Sequence, residues 1–281
     1  MILQQCLLQA KSRLACIADQ PMLEAEILLA HALRRPRSYL HAFGETEISD
    51  IALNNFNLYL NRRFNREPIA YILGQQEFWS LGLQVSADTL IPRPETELLV
   101  ESILMLEMPT GAIRVADLGT GCGTIALALA HERLEWHLYA TDISVEALKI
   151  AKRNAAHLKL DNILFFQGDW CHALPQGIKF DVIVSNPPYI AQDEWAQYAS
   201  HLAHEPQSAL IAGSDGLDAI RAILGLARYH LKPEGYLVVE HGFTQGQAVR
   251  EIYAANGYQG IDSKRDLAGL ERMTLGRLAL K

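Results

Sequence analysis

Short apolar segments alternate with longer amphipathic segments from residue 113 onward, and this alternation is the strongest constraint on the fold. The apolar segments read IRVADLG, WHLYATD, ILFFQGD, FDVIVSNPPY, GYLVVEHG and ERMTLGRLAL. Amphipathic segments follow the first two, and two more helices are predicted around 215–231 and near 244–256. Strands that alternate with helices form a mostly parallel sheet covered on both faces. The sequence therefore predicts an α/β fold with a doubly wound sheet.

The N-terminal part of the chain has a helical pattern instead. Apolar residues recur there at three- and four-residue steps, and Asp50 is a candidate cap for one helix while Gly74 would end the last one. We predict a helical substrate-recognition domain over 1–75, a hairpin and linker over 76–92, and the α/β domain over 93–281. The residues predicted to face the helical core are Met22, Ala25, Leu28, Leu29, Leu33, Ile51, Leu53, Phe56, Leu60 and Phe64.

A glycine-rich loop, DLGTGCG, follows the first strand of the α/β region. Gly119, Gly121 and Gly123 let the backbone turn tightly and approach a ligand at the start of a helix. Dinucleotide enzymes share such turns, but their usual spacing is G-x-G-x-x-G. The G-x-G-x-G spacing favours another nucleoside ligand, and the alternative is a tight turn without a ligand.

Acidic residues end the next two strands. Asp142 follows the glycine loop by about 20 residues, where an acid can accept hydrogen bonds from a ribose diol. The alternative role for Asp142 is a helix cap, although Ser144 can supply that cap. Asp169 could accept from an adenine amine and Trp170 could flank the base, or the two could be a surface acid and a half-buried ring.

The fourth strand ends in SNPPY. Two consecutive prolines cannot continue a strand ladder, because each lacks an N–H and has a fixed φ. One reading is a structural stop between strand and loop. The other interpretation is a functional site, because a purely structural stop does not need Asn186 before the prolines and Tyr189 after them.

Charge and cysteine usage exclude some classes of function. The net charge is −7, so no stable nucleic-acid binding is expected, and the basic clusters at 34–37 and 61–66 are interpreted as solvated helix faces. The four cysteines lack the spacing of a metal site and are expected to be reduced thiols. We find no signal-peptide pattern and no apolar run of membrane-spanning length, and we expect a cytoplasmic protein with no membrane partner.

The motifs DLGTGCG, TD, GDW and NPPY, in this order, resemble those of class I S-adenosylmethionine-dependent methyltransferases. More narrowly, LIPRPETELLVE, VSNPPYI, YILGQQEFW and HEPQSALIAGSDGLDAIRAI resemble the protein-(glutamine-N5) methyltransferases that modify peptide chain release factors. The resemblance covers nearly the whole chain. It implies a Rossmann-like domain with a mostly parallel seven-stranded sheet, preceded by a small all-α domain.

The resemblance also implies an activity. A methyl group would pass from S-adenosylmethionine to the side-chain amide of the glutamine in the Gly-Gly-Gln loop of a release factor, leaving S-adenosylhomocysteine and requiring no metal. The implied catalytic residues are Asn186, Pro187 and Tyr189, and Pro188 joins them in binding the substrate. The implied cofactor-binding residues are Gly119, Thr120, Gly121, Cys122, Gly123, Asp142, Asp169, Trp170 and Asn186.

The tetrapeptide suits an amide nucleophile. A conjugated NH₂ group is too weakly acidic for a side chain to deprotonate it first, so the useful help is two acceptors that hold its N–H bonds. The Asn186 oxygen and the Pro187 carbonyl can accept, and Tyr189 would pack on the flat amide. His241 and His204 are interpreted as structural or loop histidines.

Three questions stay open at this point. The IPRPETE segment is either a wall of the pocket, which the resemblance favours, or a rigid salt-bridged linker. Nucleic-acid adenine-N6 methyltransferases carry similar tetrapeptides, although no segment here resembles a target-recognition domain. A catalytically inactive methyltransferase-like binding module is the third possibility, while the glycine spacing disfavours a nicotinamide dehydrogenase.

Overall fold

The computed structural model describes residues 1–279, and the chain divides into two compact units, 1–75 and 76 onward. The segment 76–92, which includes most of a short hairpin, belongs to the second unit. Every residue of the candidate site discussed below also belongs to the second unit. In the part of the chain that the structure describes, no helix is long and apolar enough to span a membrane.

The first unit is all helical, as the sequence predicts. Its core includes Leu14, Leu28, Leu29 and Phe56, all almost fully buried. Its helices are α1 (Leu3–Leu14), α2 (Pro21–Leu33), α3 (Arg37–Ala42), α4 (Asp50–Phe64) and α5 (Ile69–Leu73).

Three details of the helical prediction differ in the structure. The cap of α4 is Ser49 rather than Asp50, because the Ser49 hydroxyl accepts from the Ala52 N–H at 3.4 Å while Asp50 lies in the first turn. Ile51 and Phe64 were predicted to face the core, but they are 77% and 47% exposed. Both lie near an end of α4, where the three- and four-residue pattern extends past the buried surface. Gly74 does end α5, at φ 71°.

The second unit begins with the hairpin and continues as an α/β domain. The IPRPETE segment, 91–97, was expected to be a pocket wall or a rigid linker, and in the structure its second half forms a 3-10 turn at Pro94–Thr96 that runs into a helix. The helices are α6 (Glu97–Leu104), α7 (Thr124–Glu132), α8 (Val145–Leu158), α9 (Trp195–Leu202), α10 (Asp218–Ala227) and α11 (Gly246–Ala255). The strands are β1 (Gln75–Phe78), β2 (Leu81–Gln84), β3 (Arg114–Leu118), β4 (His137–Asp142), β5 (Ile163–Gln167), β6 (Phe180–Ser185), β7 (Leu231–Glu240), β8 (Tyr258–Arg265) and β9 (Glu271–Leu278).

The main sheet has seven strands in the order β5-β4-β3-β6-β7-β9-β8. All adjacent pairs from β5 to β7 are parallel, and β9 runs antiparallel to both of its neighbours. The six strands predicted from the sequence are confirmed, although the last predicted segment extends to residue 280, outside the described residues. The mostly parallel seven-stranded sheet that the resemblance implies is likewise confirmed.

The strand β8 was not predicted as a separate segment. Its residues, YQGIDSKR, are mostly polar, and only Tyr258 is fully buried. An edge strand needs few apolar residues, because it has one neighbour and little to cover. Its place in the sheet depends on pairing with β9, which no local pattern reveals.

The chain reverses its direction of travel across the sheet between β3 and β6. From β3 the chain proceeds outward to β4 and β5, and it then returns to place β6 on the other side of β3. In open parallel sheets, ligands bind at this reversal, beyond the carboxyl ends of the strands. On one face, α10 and α11 contribute Ile220, Ile223 and Tyr253 to a buried core that also includes residues of β3, β6 and β7.

Candidate active site

A cavity of about 440 Å³ lies beyond the carboxyl ends of β3, β4, β5 and β6, a size typical of a small-molecule site. Nine of the residues predicted for the site line it: Gly119, Thr120, Gly121, Cys122, Asp142, Asp169, Trp170, Asn186 and Pro188. Gly123, Pro187 and Tyr189 are adjacent in sequence but are not part of the lining. Sequence reasoning did not assign Asp117, Thr96, Ser208 or Ala209, which also line the cavity.

The glycine loop is shaped by contacts that exclude side chains. At Gly119, φ is 71° and an added Cβ would lie 2.9 Å from Cζ3 of the Trp170 ring. At Gly123, φ is 94° and a Cβ would lie 2.5 Å from Cδ1 of Leu127. Both positions combine a left-handed backbone with close packing, so only glycine fits without rearrangement. The loop then leads directly into α7, whose first N–H groups are positively polarised.

Asp117 is the buried acid at the end of β3. Its Oδ2 accepts from the Thr120 hydroxyl at 2.6 Å and from the Ala126 N–H at 3.1 Å. Its Oδ1 is buried and has no hydrogen-bond partner within residues 1–279. Burial raises the pKa of the Asp117 carboxyl to about 7, and negative Asp142 acts in the same direction. The cavity therefore contains a carboxylate oxygen that would accept from a cationic or N–H group of a ligand.

Asp142 has two partners already. Its Oδ2 accepts from the Gly121 N–H at 2.9 Å and its Oδ1 accepts from the Ser144 N–H at 2.8 Å. Ser144 caps α8, as predicted, through a 3.2 Å hydrogen bond from the Ala147 N–H. Asp142 therefore stabilises the glycine loop and the start of α8 through these two hydrogen bonds. A carboxylate has about four acceptor positions, so capacity for a ribose diol remains. Burial raises the pKa of Asp142, and these hydrogen bonds oppose the shift.

Asp169 and Trp170 lie on the cavity wall after β5. Asp169 is exposed and Trp170 is half-buried, with φ 40° at Trp170. The ring of Trp170 lies against Gly119, so the two predicted elements of the site are in contact. The wall presents a flat apolar surface that suits a purine ring, beside an acceptor that suits the amine of that ring.

The orientation of the Asn186 side chain is defined by one hydrogen bond. Its Nδ2 donates to the Thr96 hydroxyl at 3.1 Å, while its Oδ1 is buried and has no partner among the described residues. The Thr96 hydroxyl donates in turn to Oε2 of Glu240 at 2.8 Å. The Tyr189 hydroxyl contacts Oε1 of Glu240 at 3.5 Å. Burial raises the pKa of the Tyr189 phenol, and negative Glu240 adds to this.

The IPRPETE segment lines the cavity and is also salt-bridged. Pro92, Arg93 and Thr96 form part of the wall. Buried Glu205 accepts from the Ile91 N–H at 2.9 Å and pairs with the Arg93 guanidinium. The segment therefore both forms part of the cavity wall and carries a salt bridge, the two features that the sequence suggested. The ion pair joins this segment to residues 204–206, and the nearby residues Ser208 and Ala209 also line the cavity.

Asn154 of α8 connects the hairpin to the glycine loop. Its Nδ2 donates to the Gln84 carbonyl at 3.0 Å and to the Cys122 carbonyl at 2.9 Å, and its Oδ1 accepts from the Gln84 N–H at 2.8 Å. The buried Asn154 amide thus holds the glycine loop in place through the Cys122 carbonyl. No motif signalled it, because a polar residue inside an amphipathic helix usually faces solvent.

His241 is buried, and both ring nitrogens have protein partners. Nδ1 lies 2.9 Å from the Gly242 carbonyl and Nε2 lies 2.9 Å from the Thr274 hydroxyl. These contacts fit the predicted structural role of His241. Within residues 1–279, no group of three His, Cys, Asp or Glu side chains is close enough to hold a metal ion.

Comparison with protein families matches both units of the chain. Residues 109–271 match a family described as a methyltransferase domain, and residues 5–74 match the PrmC N-terminal domain. A relative from Coxiella burnetii is 46% identical, with 94% of this chain and 95% of the relative covered. A relative from Escherichia coli K12 is 44% identical, with 98% of each chain covered. Each of these relatives is named release factor glutamine methyltransferase.

Solved structures show the same fold at low sequence identity. A methyltransferase from Pyrococcus furiosus matches with a TM-score of 0.54 and 18% identity, covering 71% of this chain and 90% of that one. A Thermus thermophilus 16S rRNA N2 G1207 methyltransferase, solved with AdoMet and guanosine, matches with a TM-score of 0.51 and 18% identity. That match covers 73% of this chain and 49% of the other.

Proposed function

The chain belongs to the family of release factor glutamine methyltransferases, and from this premise we propose that it methylates a release factor. The methyl group of S-adenosylmethionine is transferred to the side-chain amide nitrogen of the glutamine in the factor's Gly-Gly-Gln loop. The observation that carries the proposal is the Asn186 amide, whose nitrogen donates to Thr96 and whose buried oxygen has no partner among residues 1–279.

The cavity residues fit S-adenosylmethionine, which supplies an electrophilic methyl group on a sulfonium. The Oδ1 of Asp117, which has no partner in the described part of the chain, suits the positively charged part of this molecule. Asp142 retains acceptor positions for the ribose diol, while Asp169 and Trp170 suit the adenine amine and ring. At Gly121, φ is 59° and nothing lies within 4 Å of the position that a Cβ would take, so the loop backbone is open to close approach there.

The catalytic residues act by orienting the glutamine amide. The Asn186 oxygen and the Pro187 carbonyl accept its two N–H bonds and shift electron density towards the nitrogen. The Tyr189 ring packs against the flat amide and holds the nitrogen towards the methyl donor. The proton leaves after transfer, when the nitrogen is strongly acidic, so no general base and no metal is required. The product is S-adenosylhomocysteine.

The helical unit binds the release factor at a distance from the glutamine loop under this proposal. Its match to the PrmC N-terminal domain supports that role, since the relatives named as release factor enzymes span nearly the whole chain. With a release factor as the substrate, the proposed location of the reaction is the cytoplasm. The net charge of −7 supports a protein substrate over nucleic acid.

Methyl transfer from labelled S-adenosylmethionine tests the proposal. The purified chain is offered an unmethylated release factor, the same factor with Gln→Ala in its Gly-Gly-Gln loop, and adenine-containing DNA. Label on the factor and none on its loop variant is expected. Label on DNA would replace the proposal with an adenine-N6 activity. Cofactor binding without transfer to any of the three would indicate a binding module.

A further inference from the structure

We propose that Glu240 is a positioning residue that keeps the Asn186 amide in its productive orientation, acting through the hydroxyl of Thr96. This inference rests on the proposed function, because it concerns how the same site presents its acceptor to the substrate. Under this proposal, Glu240 contacts neither the substrate nor the cofactor. It acts on the two side chains of the tetrapeptide that do.

An asparagine side chain has two orientations that nearly coincide in shape. A rotation of about 180° exchanges its oxygen and its NH₂ group. In the flipped state Asn186 would present N–H donors to the substrate NH₂, which cannot accept them. The prolines constrain the backbone, but they do not select between the two amide orientations. A contact outside the tetrapeptide must therefore make the selection.

Three hydrogen-bonded groups provide that contact. Oε2 of Glu240 lies 2.8 Å from the Thr96 hydroxyl, and this hydroxyl lies 3.1 Å from Nδ2 of Asn186. A threonine hydroxyl has one proton. When Glu240 is ionised it can only accept, so the Thr96 proton points to it. Thr96 then has only acceptor positions left for Asn186, which must turn its NH₂ group to Thr96 and its oxygen to the substrate.

The second oxygen of Glu240 restrains Tyr189. Oε1 lies 3.5 Å from the Tyr189 hydroxyl, and an ionised carboxylate accepts a hydrogen bond from this phenol. One carboxylate thus contacts Tyr189 directly and Asn186 through one intermediate. The strands explain the proximity, since Ser185 and Val239 are register partners and Asn186 and Glu240 follow them on parallel strands.

Opposing interactions act on the pKa of the Glu240 carboxyl. Glu240 is 2% exposed, and burial raises its pKa to about 7, with nearby Glu95 acting in the same direction. The Thr96 and Tyr189 hydrogen bonds and the positive charge of Arg272 oppose the rise. Below this pKa the protonated carboxyl can donate to Thr96, which frees the threonine proton to bond the Asn186 oxygen. Turnover is therefore expected to fall as pH decreases through about 7.

The test compares Glu240→Gln with the parent chain on an unmethylated release factor. Glutamine has nearly the same shape but can donate or accept at Thr96. We expect kcat to fall about tenfold or more, because the oriented acceptor is lost in part of the population. S-adenosylmethionine affinity should stay within about twofold, and the decrease in kcat below about pH 7 should disappear. A variant with the parent kcat and the parent pH profile would overturn the inference.

Substitutions at Thr96 provide a second route if Glu240→Gln does not fold. Thr96→Val removes the hydroxyl at nearly constant shape and is expected to lower kcat to a similar extent. Thr96→Ser keeps the hydroxyl and should recover most of the turnover that Thr96→Val loses. Equal kcat values for the parent and Thr96→Val would also refute the inference. In the double variant Glu240→Gln/Thr96→Val, the losses should not add.

Asp181→Asn is the matched control for removing a buried carboxylate. Asp181 is the second residue of β6, the strand that Asn186 follows, and it accepts from the Arg114 N–H at 2.9 Å and from Lys232 at 2.7 Å. The variant should melt at a lower temperature but retain the pH dependence of kcat. Loss of that dependence in Asp181→Asn would overturn the assignment to Glu240. A parent chain that labels no release factor would refute the proposed function itself, whereas an active parent with an unaffected Glu240→Gln would refute this inference alone.

Discussion

Replacing Asn186 with alanine separates its role in turnover from its contact with the cofactor cavity. The change removes Oδ1, which is buried and has no partner in residues 1–279, and Nδ2, which donates to Thr96 at 3.1 Å. The Pro187 carbonyl remains as a second acceptor for the substrate amide. The variant thus loses one of two groups proposed to bind the reacting NH₂ group.

The expected decrease in kcat follows from the loss of one of these two hydrogen-bonding groups. Losing one oriented hydrogen-bonding group in a water-excluded site lowers kcat by about 10²–10³, which is about 2.7–4 kcal/mol. Because the Pro187 carbonyl is retained, we expect a loss near the lower end of this range. Asn186 also lines the cavity, but a single neutral hydrogen bond to the cofactor contributes only about 0.5–1.5 kcal/mol. Cofactor affinity should therefore change by only about two- to tenfold.

The assay measures both quantities on the same preparation. Single-turnover methyl transfer to an unmethylated release factor gives the rate of the chemical step, and titration calorimetry gives the S-adenosylmethionine Kd. Ser185→Ala is the control, since it removes the neighbouring buried hydroxyl, which donates to the Leu118 carbonyl at 2.7 Å. This control should lower stability without the large selective loss of rate. Equal losses in rate and cofactor affinity for Asn186→Ala, or a rate within about threefold of the parent, would refute the assigned role.

Three further substitutions probe the cofactor side of the site. Asp142→Ala should weaken S-adenosylmethionine binding by about 10- to 100-fold, because the loss of its carboxylate is expected to cost about as much as one charged hydrogen bond, about 1.5–3 kcal/mol. An unchanged Kd by calorimetry would contradict the ribose role. Gly119→Ala should also weaken cofactor binding, since its Cβ would lie 2.9 Å from the Trp170 ring at φ 71°, and equilibrium binding that matches the parent would show that the loop adapts. Asn154→Ala should lower the free energy of unfolding by about 2–4 kcal/mol, because it leaves buried backbone groups of Cys122 and the hairpin unpaired. Urea denaturation measures that loss, and a change below about 0.5 kcal/mol would show that the loop is fixed by other contacts.

Sequence patterns predicted the features that depend on local chemistry. Hydrophobic periodicity located the helical unit and six of the seven strands of the main sheet, because burial repeats with the period of each element. The glycine loop and the Asn-Pro-Pro-Tyr segment were recognisable because they require particular backbone angles. The same local reasoning missed β8, which is polar and is held in place by pairing with β9.

Other features required the tertiary structure, because their parts are far apart in the chain. Thr96 and Glu240 are separated by 144 positions, and Thr96 and Asn186 by 90, yet they form one hydrogen-bonded chain. Glu205 likewise meets Ile91 across 114 positions. Each of these residues stands in a segment with its own local explanation, as a helix start, a strand end or a loop.

The amino-acid sequence by itself determined which atoms could perform the chemistry. Short motifs supply the amide oxygen of Asn186, the proposed ribose acceptor Asp142 and the flexible glycine backbone, and the fold class follows from periodic burial. The tertiary structure alone decided which way the Asn186 amide points and which carboxylates lie buried beside the cavity. The physical reason is that hydrogen-bond direction and pKa depend on neighbours, and the neighbours are set by the parallel register of β6 and β7.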